Sequence, residues 1–124
     1  MKFVHVATRT KDLDAALAFY GALGMKEVRR SVLEKGRATL VFVAPPEGNF
    51  AIELVYNWGK DDGYEGGDRF GHFAFDVEDI DAVLPGIVAA GGTVQREPYL
   101  LEGSGPRIAF VGDPDGNSVE LIQR

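Results

Sequence analysis

The chain has 124 residues, 45 % apolar and 26 % charged, the mixture of one ordinary globular domain or of two small halves sharing a core. A formal net charge of -6 argues against a general nucleic-acid binder, and no run of eighteen or more apolar residues offers a membrane span. With no cysteine, a disulfide scaffold, a zinc ribbon and a thiol nucleophile are excluded. Sixteen glycines, about twice the usual share of roughly 7 %, call for many turns.

The first segment, Phe3-Val4-His5-Val6 after a single lysine, does not read as a signal peptide, and a cytoplasmic protein is expected. Residues 3–9 alternate like a strand with one wet face. Asp12 can cap a helix carrying Leu13, Leu17 and Tyr20 at helical spacing, and Gly24 can end it. Strands are predicted near 25–32, 38–44 and 50–56, divided by Lys35-Gly36 and Pro45-Pro46-Glu47-Gly48. The polar segment 58–68 reads as a linker. A strand at 70–77, a helix at about 79–90 and strands near 93–97, 106–111 and 118–123 follow. Pro85-Gly86 should kink or shorten the second helix. Asp113-Pro114-Asp115-Gly116 is a turn signal before the last strand.

Shifted by 67 residues, the chain matches itself. His5 falls on His72, Asp12-Leu13-Asp14-Ala15 on Asp79-Ile80-Asp81-Ala82, Gly24 on Gly91, Arg29 on Arg96 and Glu53-Leu54 on Glu120-Leu121. About a dozen of the 53 overlapped positions are identical, with no gap introduced. The reading is a tandem duplication within one domain, 1–124: a module over about 1–57, a linker over about 58–69 and a module over about 70–124. Each module is βαβββ, and the fold class is α+β.

Both histidines of the chain belong to the repeat, each followed by a glutamate 48 residues later. Each glutamate stands in an apolar strand, where a carboxylate is costly unless paired, ligated or wet. Two imidazoles and two carboxylates suit a borderline divalent cation such as Ni(II), Co(II) or Zn(II). His5, Glu53, His72 and Glu120 are therefore candidate metal ligands, with each module supplying one imidazole and one carboxylate.

These residues resemble the vicinal-oxygen-chelate superfamily and, within it, the glyoxalase I (lactoylglutathione lyase) family. Glu53-Leu54-Val55-Tyr56-Asn57-Trp58-Gly59, Phe70-Gly71-His72-Phe73-Ala74 and Asp113-Pro114-Asp115-Gly116-Asn117 with Val119-Glu120-Leu121-Ile122 carry the likeness, which covers essentially the whole chain. The resemblance implies curved mixed sheets around a metal site. It implies conversion of the methylglyoxal–glutathione hemithioacetal to S-lactoylglutathione, with proton transfer by Glu120 and a matching role for Glu53. It implies a homodimer, with the metal held within one chain or shared between two, and no membrane or nucleic-acid partner. The compact length resembles the bacterial forms that prefer nickel or cobalt.

Substrate contacts follow from the same resemblance. Arg9 lies four residues after His5, on the same strand face, and it and Asn57 are implied at the glutamyl end of glutathione. Arg69 and Arg107 lie near positions where the family places cations, without a clean match. Phe3, Leu33, Phe50, Tyr56 and Trp58 are candidate walls of an apolar pocket. An epimerase, an extradiol dioxygenase or a resistance transferase of the superfamily stays open, although an acid at position 53 is unexpected in each. A non-catalytic small-molecule binding protein stays open as well.

Overall fold

The computed structural model describes residues 1–48 and 50–124 and divides into two compact units, Met1–Glu65 and Gly66–Arg124. Each unit is an open, mixed four-stranded sheet with one helix. In the first, β1 (His5–Arg9) leads to α1 (Leu13–Ala22), then β2 (Lys26–Leu33), β3 (Ala38–Ala44) and β4 (Ala51–Asn57). The sheet order is β1-β4-β3-β2, with β1 parallel to β4 and the other pairs antiparallel. The second unit repeats this with β5 (His72–Asp76), α2 (Ile80–Ala89), β6 (Thr93–Leu100), β7 (Arg107–Gly112) and β8 (Ser118–Gln123), in the order β5-β8-β7-β6. No helix among the described residues is long and apolar enough to cross a membrane.

The two helices are set by the same local chemistry. The Asp12 carboxylate accepts from the Ala15 N–H at 3.0 Å, and the Asp79 carboxylate from the Asp81 and Ala82 N–H groups. Gly24 and Gly91 follow the last turns at φ 84° and 98°, where a side chain would be strained. The expected shortening at Pro85 does not occur: α2 runs ten residues, as α1 does. Both ends of α2 are well held. Asp79 caps its first turn, the Gln123 side chain accepts from the Ile80 N–H at 2.9 Å, and Ile80 and Ile87 are buried.

In the first unit, Val41, Val43, Ile52 and Leu54 are at most 2 % exposed on one sheet face, and α1 buries Ala16, Phe19 and Tyr20. Val111, Val119 and Leu121 do the same in the second unit, with Ile80 and Ile87 of α2. Leu54→Ala should destabilise the protein by about 2–5 kcal/mol, read from urea unfolding, because it removes a buried side chain from a closed core.

Strand pairing corrects the gapless repeat. Arg29 pairs with Phe42 and Phe42 with Glu53, whereas Arg96 pairs with Phe110 and Phe110 with Glu120. The offset is therefore 67 on β2, β4, β6 and β8, but 68 between β3 and β7. Both edge strands slip once after their second residue, between Glu27 and Arg29 and between Val94 and Arg96. Only β6 slips again, between Arg96 and Tyr99, where Pro98 has no N–H to donate to the ladder. At an offset of 68, Phe42-Val43 falls on Phe110-Val111, and Pro46, Gly48 and Asn49 fall on Pro114, Gly116 and Asn117.

The second unit's turn is an Asx turn. The buried Asp113 carboxylate accepts from the Asp115 and Asn117 N–H groups at 2.9 and 2.8 Å, with Gly116 at φ 91°. The segment read as a linker is divided between the units. Its first part is tied to the first sheet: Trp58 Nε1 donates to Thr39 Oγ1 at 3.0 Å and Asn57 Nδ2 to the Tyr64 hydroxyl at 2.9 Å.

Candidate metal centre

Parallel pairing of the first and last strands places the candidate ligands. His5, Ala7 and Arg9 align with Ala51, Glu53 and Val55, so one sheet face carries His5 and Glu53 in adjacent strands. Ile52 and Leu54 on either side of Glu53 point into the core. His5 Nε2 lies 3.0 Å from Glu53 Oε2, with the side chains 36 % and 13 % exposed. In the second unit His72 Nε2 lies 2.9 Å from Glu120 Oε2, again with a more exposed imidazole and a more buried carboxylate.

An aromatic ring supports each imidazole. Phe42 meets His5 edge to face at 5.3 Å and 79°, and Phe110 meets His72 at 5.4 Å and 80°. Nothing in the sequence analysis marked these two rings. The gapless match set Phe42 against Ala109 and hid their equivalence. The offset of 68 would have shown it.

The donor pairs fit a cation. Two donors about 2.1 Å from a metal and at right angles to each other are about 3.0 Å apart, as the nitrogen and oxygen of each pair are. Imidazole nitrogen with carboxylate oxygen is a donor set for borderline divalent ions. The structure brings His5 to Glu53 and His72 to Glu120. No group of three or more such donors gathers among the described residues.

With this geometry in hand, comparison with known proteins gives a consistent answer. A family model described as the Glyoxalase/Bleomycin resistance protein/Dioxygenase superfamily matches residues 2–121. The chain belongs to this superfamily. Among its relatives, a putative lactoylglutathione lyase of Brassica oleracea var. gemmifera is 41 % identical over 99 % of this chain and 44 % of that protein. The lactoylglutathione lyase of Haemophilus influenzae is 42 % identical over 99 % of this chain and 93 % of that protein. The crystal structure of glyoxalase I from Zea mays matches with a TM-score of 0.88 at 40 % identity, over 98 % of this chain and 44 % of that one. The chain thus spans less than half the length of the plant proteins and nearly all of the bacterial one. Membership of the glyoxalase superfamily implies a divalent metal.

The other candidate residues of this glyoxalase-superfamily chain meet different fates. Arg9 is exposed on the His5 face and has no carboxylate partner among the described residues. Asn57, at the end of β4 and four residues beyond Glu53, donates its side-chain Nδ2 to the Tyr64 hydroxyl. Arg107 is engaged elsewhere: it grips Asp81 with both terminal nitrogens at 3.0 Å, and that hydrogen bond raises its pKa above the ordinary value. Arg69 is exposed ahead of β5. Of the expected pocket walls, Leu33 shares the face of Phe42, while Phe3 and Phe50 touch edge to face at 6.0 Å and remain exposed. Tyr56 alternates onto the core side of β4, and Trp58 bonds to Thr39 on that side, so neither lies on the His5 face.

Proposed function

We propose that this chain is a lactoylglutathione lyase, converting the hemithioacetal of methylglyoxal and glutathione to S-lactoylglutathione. The observation that carries the reading is the twice-built contact of imidazole Nε2 with carboxylate Oε2, on matching strands 67 residues apart. The relatives named above carry that activity in their names. An acid at position 53 separates the chain from superfamily enzymes that use two histidines and one glutamate.

His5, Glu53, His72 and Glu120 are the proposed ligands of one divalent ion, Ni(II) in our reading, in a homodimeric enzyme. Glutathione is a cytosolic thiol pool, and a cytoplasmic location follows from that substrate. When bound, the ion supplies a Lewis acid for negative charge developing on two adjacent substrate oxygens. The rest is the work of this chain's side chains. Glu120 takes the proton from the carbon that bears sulfur, leaving an enediolate, and a proton is returned to the neighbouring carbon. The carbon–sulfur bond is kept, one carbon is oxidised as its neighbour is reduced, and no redox cofactor is consumed. Glu53 holds the matching position in the first unit. Beyond its contact with His72, no other hydrogen bond restrains the Glu120 carboxylate among the described residues, and a base must be free to swing between two carbons.

The direct test is thioester formation from methylglyoxal and glutathione by nickel-loaded protein. Absence of isomerisation, with metal bound, would sink the reading and favour a binding protein. Arg9 and Asn57 are the proposed contacts for the glutamyl end. Arg9→Ala should raise KM about tenfold with a smaller change in kcat, because it removes a charge-assisted contact made equally in the ground and transition states. An unchanged KM would take Arg9 out of substrate binding.

A further inference from the structure

Each candidate ligand pair depends on the aim of an imidazole. The torsion that turns a histidine ring is soft and nearly two-fold, so a ring without a neighbour exchanges the places of Nδ1 and Nε2. A metal-ligating histidine is commonly held against this by a hydrogen bond from its other nitrogen. Here Nε2 of His5 and of His72 faces a carboxylate, and neither Nδ1 is hydrogen-bonded among the described residues.

What each imidazole has instead is a phenylalanine ring, Phe42 at 5.3 Å and Phe110 at 5.4 Å, crossed at 79° and 80°. These rings come from β3 and β7, two strand spacings from the histidines, about 10 Å. The strand in between, β4 or β8, sets a small residue beside each histidine, Ala51 or Ser118, so a ring can lean across it. Each phenylalanine is also the register partner of the glutamate, Phe42 of Glu53 and Phe110 of Glu120, and so borders both members of its pair. The two units separate this contact from its surroundings. Arg29 stacks on Phe42 at 4.0 Å, whereas its counterpart Arg96 stacks on Tyr99 at 3.5 Å. The cation differs between the units, and the contact of ring with imidazole is kept.

We propose that Phe42 and Phe110 are positioning residues for the metal ligands. The edge-to-face contact of each holds an imidazole with Nε2 toward its glutamate, in place of a hydrogen bond to Nδ1. This inference rests on the reading of His5, Glu53, His72 and Glu120 as metal ligands.

The test titrates Ni(II) calorimetrically into the whole chain and into its Phe42→Leu, Phe110→Leu and Phe110→Tyr variants. Leucine keeps much of the volume and removes the ring. Each leucine variant should raise the Kd for Ni(II) about tenfold, the scale lost when a ligand's supporting partner is removed. Tyrosine keeps the ring at position 110 and should bind as wild type does. A second readout separates aim from bulk packing. With Zn(II) bound to protein carrying nitrogen-15 histidine, two-bond proton–nitrogen spectra should show Nε2 as the ligating nitrogen of both histidines in wild type. In a leucine variant, the histidine that has lost its ring partner should show a mixture of Nε2 and Nδ1. The proposal is overturned if the leucine variants keep Nε2 alone, or if Phe110→Tyr loses as much affinity as Phe110→Leu. A wild type that binds neither ion overturns the metal-centre reading, and this proposal with it. Equal Ni(II) binding by wild type and both leucine variants overturns this proposal alone.

Discussion

Glu120→Gln is expected to lower kcat by about a hundred- to ten-thousand-fold, the range lost when a positioned base is removed. The amide keeps the shape of the side chain and still offers an oxygen 2.9 Å from His72, so packing between Val119 and Leu121 should survive. What it loses is the ability to accept a proton from carbon. Circular dichroism should therefore stay close to wild type while turnover, measured with the metal in excess, collapses. Normal turnover in this variant would reassign the base. Glu53→Gln is the informative partner, since the two carboxylates have nearly the same contact and burial within their own units.

Removal of the metal by a chelator is expected to abolish isomerisation, by more than about a thousandfold, because Lewis-acid stabilisation is worth several kcal/mol and each 1.36 kcal/mol is a factor of ten. Ni(II) or Co(II) added back should restore it. His5→Ala and His72→Ala should each lower metal content, measured by elemental analysis after dialysis, since each removes one of four proposed donors. Metal binding should also raise the unfolding midpoint with metal concentration, as any ligand specific for the native state does. Full turnover by metal-free protein would end the proposal that these four side chains serve a cation.

Much of this could be read from the order of residues. Caps at Asp12 and Asp79, stops at Gly24 and Gly91 and the Asp113 turn are local chemistry, and the structure has each of them. The His–Glu pairs were legible because a 48-residue spacing occurs twice around the chain's only histidines. Boundaries were less so. Strand β6 runs to Leu100, three residues past its expected end, because an edge strand can bulge around Pro98 and resume pairing. Phe42 and Phe110 were hidden for the same reason: one extra residue in an edge strand moved the match out of step until the next loop restored it. Arg29 and Arg96 were visible as a repeat identity, but their stacking partners depend on register, which no spacing argument supplies. Pro85 signals a kinked or shortened helix, and capping with burial of Ile80 and Ile87 keeps α2 at ten residues.

The extra residue at Pro98 also says where a duplicated sheet is free to diverge. An edge strand answers to one neighbour only, so an insertion there is absorbed within a single ladder. The strands that carry histidine and glutamate sit beyond it and keep their alignment. Twin halves built this way can hold a common pair of donors unchanged while their outer rims take on separate preferences for what is bound.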